Sequence, residues 1–172
     1  MDTTRKIIIG LLVVVVAVCC ALLLFGRHKE PSHRMDHTVW ISDHDGSEVV
    51  FTEDRIDWYL DAKDHGDNYC SGTFSFYMGE DAVRYLTEDL AQYGITQEEV
   101  LSLVVGSDRY SVKDLVVFDL RYDKIVADGA EHKIEQPMAP WFGFLLDEGT
   151  RLDVCNMQTG GYYSFTKKSD GP

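Results

Sequence analysis

The sequence predicts an α+β protein: an N-terminal single transmembrane helix followed by an antiparallel β-sheet domain packed with a helix pair. Three observations point there. Ile7 to Phe25 (IIIGLLVVVVAVCCALLLF) runs nineteen residues without a charge. At about 1.5 Å of rise per residue it matches the hydrocarbon thickness of a bilayer. Beyond it, short runs of β-branched and aromatic residues recur between Gly, Asp and Asn clusters, the pattern of strands joined by turns. Between Gly79 and Gly106 the apolar spacing changes to that of helices.

These signals divide the chain. Residues 1–6 are a short basic leader holding Arg5 and Lys6, and residues 7–25 are the membrane anchor, with Ile7 and Phe25 as its limits. Residues 26–36 form a polar linker, 37–166 an extracytoplasmic domain and 167–172 a flexible tail. The apolar run is longer than the core of a cleaved export signal, and Cys19-x-Ala21 is followed by more apolar residues, so the anchor is expected to be retained. Bases flank both ends nearly equally. The short basic leader, and the ease with which long following domains translocate, place the N-terminus inside and the domain outside the cytoplasm.

Charge narrows the partners. Asp2 is the only acidic residue before Glu30, and the bases there are Arg5, Lys6, Arg27 and Lys29. Of 29 acidic and 16 basic residues, 28 and 12 therefore lie from Glu30 onward. Nucleic-acid binding needs the opposite balance. The partners expected are the lipid bilayer, through residues 7–25, and a protein in the cell envelope. Cys19 and Cys20 lie in the apolar segment, which leaves Cys70 and Cys155 as a possible disulfide in an oxidising compartment.

Along the domain, Thr38 to Ser42 and Glu48 to Phe51 read as a hairpin around Asp43-His44-Asp45-Gly46. A calcium loop aligned on Gly46 would put Ile41 and Thr52 at ligand positions, which does not work. Ile56, Trp58 and Leu60 alternate with Asp57, Tyr59 and Asp61, giving a strand with an acidic face. Asp64 to Asn68 reads as a turn cluster and Thr73 to Met78 as a strand. Val83, Leu86, Leu90 and Tyr93 make one helical stripe, ended by Gly94. Thr96 and Glu99 form a capping box that starts a second helix. Ile95 to Ser107 resembles the opening of a bacterial helix-turn-helix, but Asp108 to Val112 is too short and acidic for a recognition helix, so nothing is carried over from it. Leu115 to Leu120, Trp141 to Leu146, Arg151 to Met157 and Tyr162 to Thr166 read as further strands.

Catalytic signatures are sparse. The sequence holds no nucleophile elbow, zinc-protease helix, C-x-x-C pair or phosphate loop. No cofactor and no catalytic residue are assigned. Asp57, Asp61, Asp64 and Asp67 are the acidic candidates for a cation, and Asp57 and Asp61 beside Trp58 and Tyr59 for a carboxylate pair. The expectation is a membrane-anchored acidic module that binds or scaffolds a partner. The alternatives are an envelope hydrolase using carboxylates and a cytoplasm-facing regulator with inverted topology.

Overall fold

A computed structural model describes residues 34–105 and 107–168. The expected anchor, residues 7–25, lies outside them, as do the leader, most of the linker and most of the tail. Among the described residues no helix is long and apolar enough to cross a membrane, so no described element supports the single-pass helix.

The α+β expectation is corrected: the domain is a closed antiparallel β-barrel of eight strands. They are β1 (Thr38–Ser42), β2 (Glu48–Thr52), β3 (Arg55–Asp61), β4 (Asp64–Met78), β5 (Leu115–Ala127), β7 (Trp141–Leu146), β8 (Arg151–Asn156) and β9 (Tyr162–Lys168). A ninth, β6 (Ala130–His132), is a short hairpin partner at the far end of β5. Their order is β4-β3-β2-β1-β9-β8-β7-β5, and β5 pairs back onto β4 to close the ring. Closure runs from Tyr69↔Val126 to Met78↔Val116. It removes both edges that an open sheet would expose. Asp64 to Asn68, read as a turn, is instead the first part of β4; the turn falls at Ala62 and Lys63.

Alternation puts one row of each strand inside. Trp40, Phe51, Ile56, Phe74, Phe118, Trp141, Leu152 and Phe165 fill the barrel, all at least 95% buried. Their rings interlock: Phe51 stacks on Phe118 at 5.4 Å and meets Phe74 edge-on at 4.9 Å. Met35, from the stretch read as a linker, also sits fully buried in this core, and its carbonyl accepts from the Thr38 backbone N–H. A wall this tightly curved needs places where backbones nearly touch. A Cβ on Gly143 would fall 1.9 Å from the Asp153 carbonyl, and one on Gly72 2.3 Å from the Arg121 carbonyl.

The helical part is shorter and less regular than expected. A single turn, α1 (Glu80–Arg84), passes into a π-helix at Tyr85–Asp89, where the Leu90 N–H reaches back five residues to the Tyr85 carbonyl at 3.0 Å. A 3₁₀ turn then ends at Gly94 in the left-handed region (φ 72°). The second helix, α2 (Gln97–Ser102), starts at the Thr96–Glu99 capping box. Ala82, Val83, Leu86, Leu90 and Val100 pack on Leu115 and Val117, which point outward from β5. The helices therefore cover one patch of the barrel's outer wall and do not form a layer across a flat sheet.

The possible disulfide is also corrected, because Cys70 and Cys155 are free. Parity explains it. Cys70 pairs with Trp58 and faces the barrel interior, while Cys155 alternates with the inward Val154 and faces outside. Two further strands, β5 and β7, separate β4 from β8 around the ring.

Candidate functional site

The interior offers side chains, not a chamber. Trp58, Tyr122 and Tyr163 cap the core at one end, with Trp58 edge-on to Trp141 at 5.4 Å and to Tyr163 at 5.1 Å. Two polar atoms in this packing have no partner, the Tyr122 hydroxyl and Trp141 Nε1. The Trp141 ring lies against Trp58, Phe118, Tyr163 and Phe165, so its N–H is enclosed by aromatic surface. Burial pushes the Tyr122 phenol and the Cys70 thiol up, which keeps both protonated at neutral pH.

The outer wall is where polar chemistry gathers. The outward row of β5 reads Leu115, Val117, Asp119, Arg121, Asp123. It leaves the apolar patch under the helices at Asp119, which is only 8% exposed. Three donors converge on Asp119 Oδ2: the Tyr85 hydroxyl at 2.9 Å, Arg121 Nη2 at 3.3 Å and Arg121 Nε at 3.4 Å. Oδ1 is buried with no partner. Tyr77 stacks on Tyr85 with ring centroids 3.9 Å apart. Burial, then the Asp119 carboxylate, holds the Tyr85 phenol far above its ordinary value, and burial and Asp119 raise Tyr77 as well. Asp89 adds charge close to both tyrosines. Tyr85 also opens the π-helix, a distortion that tends to occur at functional sites.

Beyond Arg121 the same face continues as alternating charges. Arg55 bonds Asp123 through two nitrogens, and its guanidinium holds the Asp123 carboxyl below the usual range. Asp57 accepts from the Ser71 hydroxyl. Two of the other three acidic candidates use their carboxylates locally. Asp61 and Asp64 accept from the Lys63 and Gly66 backbone N–H groups, and the Asp67 carbonyl accepts from Gly129. Asp57 and Asp61 stand four residues apart on β3, roughly 13 Å at strand rise, beyond the spacing of a glycosidase pair. Among the described residues no three His, Cys, Asp or Glu side chains gather as metal ligands.

A second surface feature is the turn after α2, where Leu103 and Val105 are 46% and 77% exposed. It borders an open groove with Gln97, Glu98, Leu101 and Ser102. None of these side chains presents a buried polar atom without a partner, so the Asp119 face is the stronger candidate.

Sequence reasoning missed Asp119, Tyr85, Tyr77 and Arg121. The available signal was a single carboxylate inside the apolar run LVVFDL. Comparison with known protein families, curated proteins and solved structures finds no match.

Proposed function

We propose that this protein is a non-catalytic binding module that holds a protein partner on the outer wall of its barrel, on the β4–β5 face. The observation that supports it most is the filled interior: fifteen buried side chains occupy the barrel core, leaving the outer surface to engage a ligand. The half-satisfied Asp119 points to the β4–β5 face in particular. The uncharged run of residues 7–25 supports a place at the cell membrane, and the short basic leader with Arg5 and Lys6 supports the barrel outside the cytoplasm, where a partner would be an envelope protein.

A photoreactive residue at Ser75, exposed beside Asp119, tests this in the full chain in its native cell. The expected result is a discrete adduct with a second protein from position 75 and none from Tyr162, exposed on β9. No adduct from position 75, or equal adducts from both faces, would remove the reading.

A further inference from the structure

A carboxylate taken out of water needs donors on both oxygens, since each has lone pairs that the interior must replace. Asp119 is more than nine-tenths buried, yet every donor it has lies on Oδ2. Its cation is poorly seated. Arg121 reaches one oxygen only, at 3.3 and 3.4 Å, where a well-formed guanidinium–carboxylate fork makes two contacts of about 2.7–2.9 Å. The Arg121 side chain is 61% exposed, and its guanidinium makes no other hydrogen bond among the described residues. Tyr85 is anchored differently, with its ring stacked on Tyr77 and packed on the helical patch. Of the groups on Asp119, Arg121 is thus the one that can swing into solvent at little cost.

We propose that Asp119 receives an arginine side chain from a basic partner segment, which enters beside the Tyr77–Tyr85 pair and displaces Arg121. This rests on the binding-module reading above and names the partner's chemistry. The guanidinium fork spans both carboxylate oxygens and supplies the missing donors to Oδ1. The Tyr77–Tyr85 pair sets aromatic surface beside the incoming cation. Asp89 and the surplus of 28 acidic over 12 basic residues from Glu30 onward draw a basic segment in. A lysine would bring a point charge that serves one oxygen and stacks less well.

The test measures binding of a fluorescent hexa-arginine peptide to the full chain in detergent micelles at physiological salt. Matched variants on the same face separate the site from general acidity. Asp119→Asn is expected to weaken binding about tenfold or more, while Asp123→Asn, with the same charge change, alters it less than about twofold. Arg121→Ala is expected to strengthen binding about threefold or more, while Arg55→Ala alters it less than about twofold. Hexalysine is expected to bind about fivefold more weakly than hexa-arginine. If Asp119→Asn fails to fold, the Arg121 and Arg55 pair decides. Equal effects within either matched pair, hexalysine as tight as hexa-arginine, or no binding would overturn the proposal. An adduct from position 75 without arginine selectivity would sink this inference and leave the binding module standing; no adduct would remove that module.

Discussion

Two carboxylates on the barrel's outer wall make a controlled contrast. Asp119 on β5 and Asp153 on β8 both point outward from rows that alternate with core residues, and both are almost fully buried, at 8% and 3% exposed. Each leans on an arginine two residues away, and each strand backbone nearly touches a glycine of its neighbour. They differ in how their oxygens are used. Asp153 Oδ1 accepts from the Ser164 hydroxyl at 2.6 Å and from Arg151 Nε at 3.1 Å, and its Oδ2 takes Arg109 Nη2 at 3.2 Å. Arg109 lies over Tyr110, which stacks on Phe144 at 4.4 Å, so this network ties the 107–111 loop to the wall. The Thr166 hydroxyl donates to Asp43 in the β1–β2 turn at 2.9 Å. Asp119 has all its donors on one oxygen and none on the other. A satisfied buried carboxylate is a structural clasp. A half-satisfied one, at the seam between an apolar patch and an open charged face, is the basis of the proposed site.

Mutations can break or sharpen this contrast. The largest effects are expected where the wall is thinnest. Gly143→Ala would push a methyl group into the Asp153 carbonyl and should cost about 3 kcal/mol in chemical denaturation. Gly72→Ala meets the Arg121 carbonyl beside a register shift, where the strand can give, and should cost about 2 kcal/mol. The carboxylates come next. Asp153→Ala should cost about 2–3 kcal/mol, below the usual range for breaking a buried pair because its arginines can turn to water. Asp119→Asn should cost about 1 kcal/mol or less, since one amide oxygen still accepts from Tyr85. Equal denaturation midpoints for these two variants would dissolve the contrast.

Smaller again is an alkaline effect at Tyr85. The Tyr85 phenol is raised above its ordinary value of 10.0, so the folded state holds this proton more tightly than the unfolded chain does. Its contribution is fully present below pH 10 and is lost as the pH climbs toward the folded value. Stability should therefore fall above pH 10, and Tyr85→Phe should flatten that fall; a pH–stability curve for the variant parallel to that of the unmodified protein would count against it. The smallest effect belongs to Arg121→Ala, which removes an exposed, single-oxygen contact and should change stability by less than about 0.5 kcal/mol. A loss several times larger would show that Arg121 is a fixed part of the wall.

Much of the local structure was legible in the chain. The hairpin at Asp43–Gly46, the β3 alternation, the Thr96–Glu99 capping box and the strands at Trp141–Leu146 and from Tyr162 to Thr166 all follow from short-range patterns, though the last strand runs on to Lys168, which the sequence placed in the tail. The candidate site was not legible, because Asp119 meets Tyr85, 34 residues away, only when β5 closes against β4 and the π-helix lies over that seam. A carboxylate inside LVVFDL signals an outward position on a strand. It does not reveal which side chains arrive to cover it. Met35 shows the same limit: a residue amid linker-like text becomes core because the N-terminal turn at residues 34–37 packs it there.

Side-chain periodicity, turn residues and capping chemistry act over a few positions, so the order of residues by itself determined where strands run and where the second helix begins. Whether those strands lie open under a helix layer or close into a ring depends on pairing Tyr69–Met78 with Val116–Val126, residues far apart in the chain. That pairing is won by the joint burial of apolar side chains from all eight strands, and it brought Asp119 under Tyr85 with one oxygen left without a donor.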